Sequence, residues 1–434
     1  MNERHTSRKP LKVSEPEMRS EYDFSRAVRG KYYRRYLESS NVVVIEPDVH
    51  RKFKNSAAVN DALRTLIRAA GKGRGLTKRR APVAADVRRL ESMSFAADFQ
   101  QEAKRQSDRG RCLHFTDGAR CNEIISAHSI QKSGQLSLIA EDGHVYRLNA
   151  DLSTLKKNNG RPQPKKIGIN KTSTFAGFCR HHDNTLFESI DNAPLSPDRH
   201  QIALYAYRCV CREFFVKENA VKVLEAMKAH PGLDSRRRSF LASSLTGHSL
   251  GLEGLKHHKI YYDEALLGKD YDKFEYTYFT STSKCSLQLS GQLYPDFDFM
   301  GKCVQDLGDW TSPLDLLTFF TAPTSDGWAF GFAWHVSSNR SCVPFIQSLA
   351  SRVSGGERTE DALLRFVFSC CENHAFRISW WDRLSEHAQQ AVVERMLLMA
   401  HPNIPVPSTY LVSGCEGVAD WRFEFVHTTL RADA

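Results

Sequence analysis

RCLHFTDGARCNEIISAHSIQ (111–131) and FAGFCRHHDNTLFESI (175–190) decide how this chain is read. Cys112 and Cys121 stand on either side of a turn-forming Thr-Asp-Gly, and Cys179 and His182 have Cys-x-x-His spacing where a helix is predicted to begin. A soft dication takes thiolate and imidazole in a tetrahedron and closes a segment too small for a core of its own, so Cys112, Cys121, Cys179 and His182 are the expected zinc set. The gap between the first two cysteines is wider than the about two to four residues of an ordinary knuckle, and a hairpin between them spans it. His128 or His181 can stand in for one member of the set. His144, in Asp-Gly-His-Val, reads as a turn histidine, and Glu123 as a residue that meets solvent or a salt bridge.

Working outward, residues 200–229 lack Gly and Pro and are apolar on much of their circumference, which predicts one long buried helix. Cys209 and Cys211 lie two apart in it, off a common face, so they read as packing residues. The text turns to strand signals between about 274 and 345, in YTYFTSTS (276–283) and WAFGFAWHV (328–336). A final helix pair is expected in TEDALLRFVFSCCEN and LSEHAQQAVVERMLLMA. The expected fold class is therefore α+β and multidomain. A basic region with its linker occupies 1–80, a connecting helix 81–110, a zinc-stabilised module 111–192, a helical segment 193–265, and an α+β domain of unassigned role 266–434.

The chain carries 60 Lys and Arg against 50 Asp and Glu, a net charge of +10. That excess sits at the N-terminus: residues 1–111 hold 26 basic against 14 acidic side chains, and the rest 34 against 36. Concentrated basic charge gains free energy on phosphates by releasing counterions, so nucleic acid is the expected partner and an acidic protein the second. Arg26, Arg29, Lys31, Arg34 and Arg35 interleave with tyrosines, and Arg79 and Arg80 close the Gly-rich linker GKGRGLTKRR (71–80). No stretch reaches the about 18 apolar residues of a membrane span, and the start has no apolar run, so a soluble, cytoplasmic protein without a membrane partner is expected. Its 11 cysteines are then thiols.

Two resemblances add to this. EYDFS (21–25), RGKY (29–32) and VNDALR (59–64) make residues 21–67 resemble small bacterial proteins found with toxin and antitoxin pairs, which implies a regulatory or defence setting and a protein partner for this region. The order of a cysteine pair, a strand ending in Ala-His-Ser-Ile (127–130), a hairpin, and a helix opening Cys-x-x-His-Asp resembles the HNH nucleases, whose ββα-metal fold is often framed by treble-clef zinc knuckles. That resemblance implies His128 as the general base, a catalytic Mg²⁺ or Mn²⁺, and hydrolysis of DNA phosphodiesters. Asp183 and Asn184 are the oxygen ligands at hand, with His181 as a nitrogen alternative. Two positions depart from the pattern: Ala127 stands where most members carry an acidic or His ligand, and the middle Asn has no counterpart before Cys179. An eroded, non-catalytic zinc-containing nucleic-acid binder or antitoxin-like regulator is the alternative expectation.

Overall fold

WAFGFAWH (328–335) alternates large and small side chains, and a sheet is built on that alternation. Successive strand residues face opposite sides. Trp328, Phe330, Phe332 and Trp334 enter one core, while Ala329 and Ala333 face the other. Gly331 completes the small side: a Cβ there would meet the Phe320 ring at 2.9 Å.

The computed structural model describes residues 82–431 except 117, 150–153, 155–156, 310–311 and 401–405, with side chains described from Phe95 to Leu398 and from Val406 on, those gaps aside. The basic residues Arg26, Arg29, Lys31, Arg34, Arg35, Arg79 and Arg80, and the segment 21–67, lie outside the described residues. In chain order the principal elements are α1 (Pro82–Arg109), β1 (Ile124–His128), β2 (His144–Asn149), β3 (Gln163–Gly168), β4 (Thr174–Cys179), α2 (Arg180–Leu186), α3 (Glu188–Asp191), α4 (Arg199–Met227), α5 (Ser235–Gly268), β5 (Phe274–Ser281), β6 (Leu287–Leu293), β7 (Leu317–Pro323), β8 (Trp328–His335), α6 (Asn339–Ser354), α7 (Thr359–Cys370), β9 (His374–Phe376), α8 (Ile378–Arg383), α9 (Glu386–Ala400) and β10 (Phe425–Thr428). The fold is a mixture of helix and sheet, of the α+β class. None of the described helices is long and apolar enough to cross a membrane.

Eight strands form one antiparallel sheet in the order β10-β5-β8-β7-β6-β9-β2-β3. Helices cover both faces. The long helix expected over 200–229 is α4, and with α5 it lies on the face where Tyr205 stacks on Phe320 at 4.7 Å. Helices α6 and α7 bury Phe345, Leu349, Phe366 and Val367 against the aromatic side of β8. Cys209 and Cys211 are fully buried packing residues.

The hairpin β2–β3, expected inside the 111–192 module, extends the large sheet, with Tyr146 opposite Phe376 of β9. Its apolar side chains give the reason: Val145 and Leu148 are buried in the same core as Phe345 and Trp380. Residues 83–434 form one compact unit. Polar contacts reinforce the join: Asn373 Nδ2 donates to Ser129 Oγ at 2.9 Å, and the Leu195 N–H donates to the Pro323 carbonyl at 2.7 Å.

Arg365, on α7, is fully buried. It donates to the Gly414 and Leu411 carbonyls at 2.9 and 2.7 Å and to Glu357 and Glu416 at 2.7 and 3.1 Å, which pins the C-terminal segment onto the helix. Arg365→Met would leave the buried Leu411 carbonyl and the Gly414 carbonyl without that donor, while Glu357 keeps Arg352 at 2.6 Å and Glu416 turns to solvent. A buried acceptor left unpaired costs about 1–3 kcal/mol. A lowered midpoint of thermal unfolding and faster proteolysis around 410–418 are the expected results.

Candidate metal centre and adjoining cleft

The segment before β1 is laid alongside β4. The Arg111 and Leu113 N–H groups donate to the Ala176 and Gly177 carbonyls, each at 2.9 Å. Gly110 makes this approach possible: it has φ +58°, and a Cβ would meet Ile124 at 2.7 Å and Ala176 at 3.1 Å. The chain then turns back, with the Cys121 N–H donating to the Gly118 carbonyl at 3.1 Å, so the wide spacing between Cys112 and Cys121 closes on itself. On the other side β1 and β4 pair, with Ile124 opposite Cys179. Cys179 ends β4 and caps α2, accepting from the His182 N–H at 3.4 Å.

Four ligand atoms converge there. The sulfurs of Cys112, Cys121 and Cys179 and a ring nitrogen of His182 all lie within 4.8 Å of one another. His182 Nδ1 is 3.4, 3.4 and 3.3 Å from the three sulfurs. A tetrahedral ion with Zn–S and Zn–N bonds of ordinary length sets nitrogen and sulfur about 3.5 Å apart, so the set fits a metal of that size. Electrostatics agree. Desolvation first, then the neighbouring Cys112 and Cys179, push the Cys121 thiol up to about 12, because sulfurs this close cannot share negative charge without a cation. Burial also raises the Cys179 thiol, but the backbone N–H groups of His182 and Asn122 outweigh it and hold that thiol below its ordinary value. Burial and His181 keep the His182 imidazole neutral, the form that ligates. His114 stacks on the His182 ring at 3.9 Å, and Thr116 Oγ1 lies 3.5 Å from Nε2, which fixes the ring's orientation.

A second group of side chains gathers behind β1 in a cleft of about 260 Å³, lined by His128, Lys132, Asp183, Asp191 and Arg208 among others. The β1–β4 pairing slips between Ile125 and Ala127, and such a bulge re-aims the residues that follow. Ala127 is buried at 2% exposure, and His128 ends the strand half-buried in the cleft wall. His128 Nε2 lies 3.0 Å from the Ile169 carbonyl. A carbonyl only accepts, so Nε2 carries the proton and Nδ1 of the neutral ring holds the lone pair. Burial pushes the His128 pKa below its ordinary value, partly offset by that carbonyl.

Asp183, one residue past His182, turns into the same cleft. Burial pushes its carboxyl up to about 6, Arg208 pulls it down, and Asp191 pushes it up. Asp191 takes a bidentate pair from Arg208, at 2.9 Å on both oxygens, while the Gln131 side-chain amide donates to its backbone carbonyl. The Arg208 side chain is only 3% exposed and lies 4.0 Å over the Phe187 ring.

The structure therefore brings His128 and Asp183 together and excludes Asn184, which is exposed and absent from the cleft lining. Neighbours on a helix point about 100° apart, so one cleft does not receive both. His181 donates its backbone N–H to Asn122 Oδ1 at 3.0 Å and has no place in the metal group. His144 closes a turn, its Nδ1 2.7 Å from the Asp142 carbonyl, and Glu123 pairs with Arg180 at 2.9 Å. Asp191 and Arg208 went unread in the sequence. One signal was present for Arg208: a lone cation within the apolar run IALYAYRCVC must find an anion when the helix is buried. Compared with protein-family models, with curated proteins and with solved structures, this chain matches none.

Proposed function

We propose that the cleft is a metal-dependent phosphodiesterase site of the HNH kind, acting on DNA and held in shape by zinc at Cys112, Cys121, Cys179 and His182. The observation that carries this reading is the meeting of His128, its Nδ1 lone pair set by the Ile169 carbonyl, with Asp183 and Asp191 in one cleft beside the cysteine cluster. The strand, strand, helix order of β1, β4 and α2 supports it.

Asp183 fits a hard cation: it is a half-buried carboxyl raised to about 6, and the Arg208 cation near it is already paired with both oxygens of Asp191. Asp191 supplies a second carboxylate where Ala127 supplies none. A Mg²⁺ or Mn²⁺ ion held by these carboxylates would supply charge that stabilises the attacked phosphate. His128 takes a proton from water at Nδ1, and the Ile169 carbonyl keeps the ring in the tautomer that can do so. Lys132 at the cleft wall offers a phosphate contact, and the basic N-terminal region adds salt-sensitive affinity for the duplex.

The test is nicking of a supercoiled plasmid by the purified full chain with Mg²⁺ or Mn²⁺, with and without a chelator. The neutral form of His128 is the base, and burial holds its pKa below the ordinary value. Asp183, raised to about 6, must also be ionised to hold the cation, so the rate should fall in acid as both groups take up protons. No cleavage of duplex or single strands with either ion, alongside retained DNA binding, would leave a zinc-closed nucleic-acid binder in place of the nuclease.

A further inference from the structure

The sheet has a gap beside β6. Strand β9 is three residues long and covers only Leu287–Leu289 of β6, with β2 on its other side. Beyond it the Ser290 N–H donates to the Asn373 carbonyl at 3.1 Å, and the end of β6, paired with β7 on one edge, faces helices on the other. A cavity of about 330 Å³ opens there between α4, α5, the end of β6 and the turn after α7. It is a different cavity from the His128 cleft, and the two have no lining residue in common.

Three polar atoms in its wall are buried and have no hydrogen-bond partner among the described residues: His248 Nδ1 from α5, Gln292 Oε1 from β6, and the Tyr294 hydroxyl. A buried polar atom without a partner costs free energy that a fold seldom leaves uncompensated. Three of them, one from α5 and two from the end of β6 and the residue after it, around one cavity point to a ligand. Val216, Leu293 and Phe319 add apolar surface to the wall.

We propose that this cavity binds a neutral nitrogen heterocycle of nucleoside size. Gln292 Oε1 only accepts and requires an N–H from the ligand. Tyr294 donates or accepts, and His248 offers a ring nitrogen. A nucleobase presents N–H donors and ring acceptors along one edge and two apolar faces for the Phe319 and Leu293 walls. Of the rim charges, Glu213 is paired with Arg212, which leaves Lys217 against Glu372 and favours a ligand without net charge. The volume is at the small end of ligand pockets, on the order of 300 Å³ upward, enough for one base and sugar.

Thermal-shift and calorimetric titration of the full chain with adenosine, guanosine, cytidine and uridine, each up to millimolar concentration, tests this. At least one nucleoside should raise the unfolding midpoint and bind saturably. Gln292→Leu and Tyr294→Phe should each weaken that binding about tenfold. Neither variant should unfold the free protein, because each removes a buried atom that has no partner, and His128→Ala should bind the nucleoside unchanged. If no nucleoside shifts the midpoint, or if Gln292→Leu and Tyr294→Phe bind it as tightly as the wild type, the assignment is overturned. Equal weakening by His128→Ala would place the ligand in the other cleft and would also overturn it.

Discussion

Cys179→Ser should purify with little or no bound metal, where the wild type should carry about one zinc per chain. The Cys179 sulfur sits 3.3 Å from His182 Nδ1 and also caps α2, so the serine removes a ligand while its hydroxyl can still cap the helix that presents His182 and Asp183. Zinc held by a complete set of this kind contributes about 10–16 kcal/mol of apparent binding free energy near neutral pH, so losing one thiolate is a large effect. Metal analysis by mass spectrometry, together with proteolysis within 111–123, reads the outcome. Acid should release the metal from the wild type as well, since protons compete for the thiolates and for His182. Equal zinc in wild type and variant would remove Cys179 from the set.

His128→Ala should lower cleavage about a hundredfold to ten-thousandfold, the usual contribution of a general base. Zinc content and affinity for DNA should stay as in the wild type, because His128 lies outside the cysteine cluster and makes its polar contact, among the described residues, with the Ile169 carbonyl. Asp183→Asn and Asp191→Asn should instead shift the Mg²⁺ or Mn²⁺ concentration needed for half-maximal rate. Asp191→Asn tests a second function too, since it leaves the buried Arg208 cation with a neutral partner. Release of zinc from His128→Ala would make His128 a ligand and end its assignment as the base.

The metal set was legible in the sequence because ligand chemistry needs convergence more than fixed spacing: thiols and an imidazole clustered before and after one strand pair were enough. Asp183 was legible as the acid next to His182, but Asn184 was not separable from it without the helix, which turns the two apart. Asp191 and Arg208 meet from α3 and α4, segments whose separate patterns say nothing of their pairing. The strands β5 and β8 were visible in YTYFTSTS and WAFGFAWHV, yet their neighbours were not. Alternation identifies a strand's two faces and leaves its edges unspecified, which is why β2 and β3 were expected beside β1 and are found at the end of the large sheet.

That route has an evolutionary consequence. Between leaving β1 and returning as β4 the chain passes through the large sheet, where Val145 and Leu148 are core residues. The segment from Cys112 to Asp191 therefore cannot be inherited, transplanted or expressed as a self-sufficient cassette, since cutting it out removes β2 and β3 from the sheet and exposes the core they close. Descent of this site should track descent of the whole of residues 83–434.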